Sequence, residues 1–167
     1  MGRKSLILTD AQVRQKIKRI AYEIYENNSQ EKEIILAGIY EQGYELANLL
    51  LKELEVIAPI KITLIGVKLD KFAPTQSEIA LTCNVSQLKN KCIVLIDDVM
   101  NTGRTMAYSL KPFLNVKIKK IETAVLVNRS HTEFPILTQY AGYQLSTTIN
   151  EHVEVQLERD KKEVYLQ

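Results

Sequence analysis

The sequence predicts an α/β protein: a mainly parallel sheet flanked by helices. Three observations carry this expectation. Apolar runs of strand length alternate with segments of helical periodicity through the middle of the chain, the pattern of strand–helix–strand units. The run Cys92-Ile93-Val94-Leu95-Ile96 is continuously apolar, as burial on both faces of a strand requires. No Pro-, Gly- or Ser-rich linker and no internal repeat divides the chain, so residues 1–167 are expected to form one domain.

The first helix is capped by Thr9 or Asp10, and Val13, Ile17, Ile20, Ala21 and Ile24 recur at helical spacing. Arg14, Lys16, Lys18 and Arg19 lie off that stripe and read as a solvated face. Glu33–Ile39 reads as a strand leading into Tyr40-Glu41-Gln42-Gly43. A second helix follows, with Leu46, Leu49, Leu50 and Leu54 on one face and Pro59 as its stop. Residues 60–67 form a strand, 70–78 a polar loop containing Pro74, and 79–82 a short strand. Residues 91–96 are the buried strand, 97–103 a loop, 104–114 a helix and 118–127 a further strand. The remainder reads as loops and short strands at 152–157 and 163–166, joined by a solvated turn at 158–163.

Composition narrows the function classes. A net charge of +2 with 25% charged residues excludes an acidic disordered chain and a basic nucleic-acid coat protein. Two cysteines (Cys83, Cys92) and two histidines (His131, His152) cannot assemble a zinc set. The longest apolar runs, such as 34–37 and 124–127, fall far short of the ~20 residues of a membrane span. Leu6-Ile7-Leu8 is too short for a signal peptide, and Leu6 breaks the myristoylation pattern. The Asn-x-Ser triplets at Asn27, Asn84 and Asn128 then read as chance matches, and a reducing cytoplasm is expected.

The chemistry concentrates in Val94-Leu95-Ile96-Asp97-Asp98-Val99-Met100-Asn101-Thr102-Gly103-Arg104-Thr105. A buried strand runs into two carboxylates, then a Gly-containing turn, then a helix start. Ligands of open α/β sheets sit at the carboxyl ends of the strands. A helix start offers unpaired N–H groups to an anion, and Gly lets the chain approach it closely. Thr102 and Thr105 add hydroxyl donors, and Arg104 adds charge or a backbone N–H. Carboxylates repel phosphate, so Asp97 and Asp98 suit sugar hydroxyls. The local logic is a phosphorylated sugar.

This stretch resembles the phosphoribosyl diphosphate (PRPP) signature of type I phosphoribosyltransferases: hydrophobic strand, two acids, three residues, Thr-Gly-x-Thr. Over nearly the whole chain the order of segments resembles the PyrR-type proteins, bacterial uracil phosphoribosyltransferases that also regulate the pyrimidine operon by binding its messenger RNA. The supporting pieces are Arg19-Ile20-Ala21, Gly38-Ile39 before Gly43, Ala124–Arg129, His131, Glu133-Phe134-Pro135-Ile136 and Tyr140-Ala141-Gly142.

The resemblance implies the type I fold with a small C-terminal hood of short strands. It implies that Asp97 and Asp98 hold the ribose hydroxyls and that Asn101, Thr102, Gly103, Arg104 and Thr105 wrap the 5-phosphate. Tyr40, Glu41, Gln42 and Gly43 match the pyrophosphate loop, and Lys71 stands where a mobile-loop Arg reaches the pyrophosphate. Val127, Asn128 and Arg129 match the segment lining the base. Mg²⁺ would be held mainly through PRPP and water, with no direct protein ligand, and the chain would form a homodimer or homotetramer. Two departures weaken anion binding: Gln42 replaces the usual Arg beside Glu41, and the loop after Lys71 is short. Asn128 replaces an Asp and still offers both a donor and an acceptor.

The leading expectation is transfer to uracil. An RNA-binding regulator with a vestigial nucleotide-sensing site and a 6-oxopurine transferase stay open as alternatives. Asn101 favours a pyrimidine, because the purine enzymes usually carry an Asp there and an amide takes no proton at neutral pH. Tight RNA binding is not expected: Thr132, Leu137 and Tyr143 stand where basic residues are usual, and no Lys or Arg occurs between Ser130 and Glu151.

Overall fold

The computed structural model describes residues 4–73, 75, 78–158 and 160–167. Residues 1–3, Pro74 of the polar loop and Arg159 of the charged turn lie outside the described residues. The elements in order are β1 (Ser5–Leu8), α1 (Asp10–Asn28), β2 (Glu33–Ile39), α2 (Gln42–Ile57), β3 (Lys61–Lys68), β4 (Ala80–Leu81), a 3-10 turn (Val85–Leu88), β5 (Cys92–Met100), α3 (Arg104–Ser109), α4 (Lys111–Leu114), β6 (Lys120–Asn128), β7 (Tyr140–Gln144), β8 (Val153–Gln156) and β9 (Glu163–Leu166). The larger sheet has the order β4-β3-β2-β5-β6-β7, with β3, β2, β5, β6 and β7 parallel and β4 antiparallel at the edge. A second, antiparallel sheet has the order β1-β9-β8.

Burial follows the strand alternation. Ile34, Leu36, Val94, Ile96, Ala124 and Leu126 pack with Val13, Ile17, Ile20 and Ile24 of α1 and Leu46, Leu50 and Leu54 of α2. Ile35, Ala37, Ile93, Leu95 and Val125 point the other way, onto Leu88, Met106 and Phe113. The sheet is thus covered on both faces, which is why its central strands read as unbroken apolar runs. Thr9 caps α1 in a reciprocal box with Gln12: the Gln12 N–H donates to Thr9 Oγ1 at 3.3 Å, and the Thr9 N–H donates to Gln12 Oε1 at 2.9 Å.

The structure corrects the sequence reading at four places. The expected loop 97–103 begins four residues too early, because β5 continues to Met100, with Asp97, Val99 and Met100 paired with Val125, Val127 and Asn128 of β6. Two carboxylates interrupt the apolar signal but not the backbone ladder. The expected helix 104–114 is two short helices, since Pro112 has no N–H to continue the first. Leu6-Ile7-Leu8 belongs to β1, which pairs with β9, so the small sheet is built from both ends of the chain and not from the C-terminal part alone. Tyr140–Gln144, read as loop, is a strand on the edge of the large sheet, where pairing with β6 overrides the weak strand signal of Ala141 and Gly142.

Candidate active site

The carboxyl ends of β2, β3, β5 and β6 converge on one rim. β5 brings the acids there. Asp97, expected in a loop, is 3% exposed; only Asp98 is partly open, with 18% of its side chain exposed. The start of α2 covers Asp97. A Cβ on Gly43 would lie 2.8 Å from the Ile96 carbonyl oxygen and 2.9 Å from Asp97 Oδ1, so only glycine permits this approach.

Asp97 Oδ1 accepts from the Asp98 N–H at 2.9 Å and from Lys71 Nζ at 3.1 Å. Lys71 Nζ also lies 3.9 Å from Asp98 Oδ1. Burial pushes the Asp97 carboxyl well above the usual carboxylate range, the Asp98 charge pushes the same way, and Lys71 opposes both. Burial pulls the Lys71 ammonium down, but Asp97 and Asp98 outweigh it and its pKa lies above the ordinary lysine value. Lys71 therefore sits on the acids in this structure.

The turn after β5 is shaped by Gly103 at φ +86°, a left-handed conformation that disfavours a side chain. Its carbonyl accepts from the Ala107 N–H at 2.9 Å, and the Arg104 N–H donates to Thr102 Oγ1 at 3.2 Å. The Thr102 carbonyl accepts from Glu133 and Phe134, each at 2.9 Å, which ties the turn to the segment after β6. Asp97 and residues 99–106 line a small cavity of about 40 Å³. The early N–H groups of α3 have no partner within the helix.

Two larger cavities flank it. One, of about 490 Å³, is lined by Tyr40, Glu41, Gln42, Leu69, Asp70, Lys71, Phe72 and Asp98. Tyr40 stacks on Tyr44 with ring centroids 4.6 Å apart, and its edge lies against Gly66. Gln42 Oε1 accepts from the Leu157 N–H at 3.1 Å, fastening this loop to the small sheet. The other cavity, of about 440 Å³, is lined by Asn101, Thr102, residues 129–133 and Ile149.

The segment matched to the base lies beside this second cavity, but its side chains are largely engaged. Val127 is fully buried in the core. Asn128 Oδ1 accepts from the Ser130 N–H at 3.0 Å, an Asx turn after the strand. Arg129, 8% exposed, donates to Thr147 Oγ1, Asn101 Oδ1 and the carbonyls of Thr148 and Glu151 at 2.9, 2.8, 3.2 and 2.6 Å. His131 Nε2 lies 2.9 Å from Thr147 Oγ1. Sequence reasoning did not find Thr147, Thr148, Ile149 and Glu151; they sit in an ordinary polar stretch, and only the fold brings them to Arg129.

The parallel sheet, the acid-bearing strand and the Thr-Gly-x-Thr turn form an α/β frame with its ligand rim at the carboxyl ends of the strands. The family model described as "Phosphoribosyl transferase domain" matches residues 5–161, and the chain belongs to that family. Among its relatives, the Bifunctional protein PyrR of Staphylococcus epidermidis is 37% identical over 161 residues, covering 92% of this chain and 91% of the relative. That of Bacillus pumilus is 33% identical over 166 residues, covering 94% and 92%. The hypoxanthine phosphoribosyltransferase of Trypanosoma cruzi superposes with a TM-score of 0.76 at 14% identity, over 89% of this chain and 84% of the other. A hypoxanthine-guanine phosphoribosyltransferase of Bacillus anthracis gives 0.74 at 15% identity, over 87% and 85%. At such identities the likeness is one of fold.

Proposed function

We propose that this phosphoribosyltransferase joins uracil to the ribose C1 of PRPP and releases pyrophosphate. The observation that carries this is the β5–α3 connection: Asp97 and Asp98 at the end of a buried strand, followed at once by the Asn101–Thr105 turn. The 5-phosphate would take the turn's N–H and hydroxyl donors, and the ribose hydroxyls would donate to the acids. A base nitrogen then attacks C1, and the C1–O bond to pyrophosphate breaks with its electron pair leaving on oxygen. The proton carried by that nitrogen is released to solvent as the new C–N bond forms. Positive character grows on the sugar and negative charge on the leaving group, where fixed donors help most.

The donor chemistry fits Mg²⁺. Among the described residues no group of three or more His, Cys, Asp or Glu side chains could cage a metal. Mg²⁺ is commonly held by one or two carboxylates with substrate phosphates and water completing its shell. Mg²⁺ would be held through PRPP and water beside Asp97 and Asp98, and it would neutralise charge on the departing pyrophosphate.

The decisive experiment is PRPP consumption with uracil, orotate, adenine, guanine, hypoxanthine and xanthine in turn. Uracil should give the largest kcat/KM; a tenfold advantage for hypoxanthine or guanine overturns the choice of base. Tight RNA binding is not part of the proposal. Arg19 of α1 is engaged with the Ala141 and Gly142 carbonyls at 3.0 and 2.8 Å and with Glu23. Lys16 lies over the Tyr143 ring. A gel shift with pyrimidine leader RNA at near-physiological salt should show micromolar binding that fades steeply with salt. Nanomolar, sequence-selective binding strengthened by a uridine nucleotide overturns this.

A further inference from the structure

Asn101 lines both the small cavity at the turn and the cavity beside residues 129–133. It is the side chain shared by the phosphate side and the base side that Arg129 holds. Guanidinium carries donors and no acceptor. The 2.8 Å contact from Arg129 Nη1 therefore fixes which end of the Asn101 amide faces the arginine: the oxygen. This assignment follows from the chemistry of the two groups. Arg129 is itself pinned by Thr147 and by the Thr148 and Glu151 carbonyls, so it offers the amide one stable orientation. The end of the amide that the arginine leaves over is its amino group, a donor.

We propose that Arg129 sets the base preference of this site by holding Asn101 as a hydrogen-bond donor, favouring a base whose nucleophilic nitrogen is flanked by a carbonyl and disfavouring one that presents an N–H. This rests on the phosphoribosyl transfer proposed above and adds a specificity mechanism to it. In uracil the attacking N1 is flanked by the C2 carbonyl, an acceptor. A neutral 6-oxopurine attacking through N9 carries its imidazole proton on N7, a donor. Two donors facing each other leave both unpaired, and a site built around one hydrogen bond rejects the mismatched partner strongly. Arg129 acts through Asn101 and is a positioning residue.

The test is the ratio of kcat/KM for uracil to that for hypoxanthine, measured for the full chain with saturating PRPP and Mg²⁺. Asn101→Asp keeps an oxygen for Arg129 and presents a second oxygen as an acceptor, so the ratio should fall by about 100-fold. Asn101→Leu, with neither donor nor acceptor, should lose uracil turnover without gaining hypoxanthine. Arg129→Met frees the amide to turn either end inward and should move the ratio toward unity by about tenfold. A purely structural Arg129 would slow both bases alike and leave the ratio fixed. If wild type uses uracil and Asn101→Asp leaves the ratio unmoved, the specificity mechanism is overturned while the transfer reaction stands. If wild type turns over no base, the transfer reaction is overturned and this mechanism with it. Should Arg129→Met fail to fold, the two Asn101 variants decide.

Discussion

The Asn101–Thr105 turn and the Tyr40–Gly43 loop lie on either side of the same acidic pair, yet they are built from opposite chemistry. The turn offers hydroxyls, backbone donors and Arg104, with a left-handed Gly103 giving an anion room to approach. The loop offers Glu41, an amide already bonded to Leu157, and an aromatic stack, and its cavity carries Asp70 and Asp98 opposite Lys71. On the proposed reaction the 5-phosphate would meet donors already in place in the first region. A pyrophosphate in the second must be met by added cationic charge, from Mg²⁺ and from a Lys71 that has left Asp97. On the proposed reaction, the difference makes the leaving group, rather than the anchoring of the 5-phosphate, the more demanding charge to meet.

The largest effect is expected where the two regions meet. Asp97→Asn with Asp98→Asn removes two charge-assisted hydrogen bonds, each of about 1.5–3 kcal/mol, so PRPP affinity should fall by about 10²–10⁴-fold. Calorimetry returning an unchanged affinity would refute the role given to the pair. Stability should move the other way. A carboxyl whose folded pKa lies above its unfolded value stabilises through its protonated form. That contribution is fully present below the unfolded value, near the ordinary 3.8 of an aspartate, and is lost as pH rises through the folded one. Asp97→Asn should therefore raise Tm at neutral pH and flatten its decline between acid and neutral pH; a lower Tm at neutral pH would show the Lys71 pairing outweighing the burial of charge.

Lys71→Met separates the two regions. Losing the cation for the leaving group should lower kcat/KM for PRPP by about 100-fold. Ribose 5-phosphate, which lacks the pyrophosphate, should bind within about threefold of wild type, since it brings no leaving-group charge for Lys71 to meet. Equal losses for both ligands, read by calorimetry, would mean that Lys71 serves the acids and not the leaving group.

The smallest effect is a gain. Gln42→Arg puts a cation into the loop and should raise kcat/KM for PRPP by about three- to tenfold through added anion binding. Arginine cannot accept from the Leu157 N–H, so stability should drop by about 1 kcal/mol, or about 2–4 °C in Tm. A stability loss with no kinetic gain would show that the loop does not contact pyrophosphate.

How much of this was legible beforehand depends on distance along the chain. The capped first helix, the central strands and the Asp97–Thr105 stretch were readable because each is encoded by contiguous residues: a cap, an apolar period, two acids and a glycine turn. The sequence by itself determined the fold class and the glycine turn at the start of α3, since local propensity and burial pattern agree there. The tertiary structure alone decided that β5 runs on past its apolar part, that both chain ends share the small sheet, and that Asp97 is buried beneath α2. It also decided what the polar side chains hold: Lys71 on Asp97 across 26 residues, Arg129 on Asn101 across 28 and Gln42 on Leu157 across 115. A side chain's charge is written at its own position, but its partner is chosen by how sheet and helices pack, so which cations and amides remain available to a ligand is a property of the folded chain.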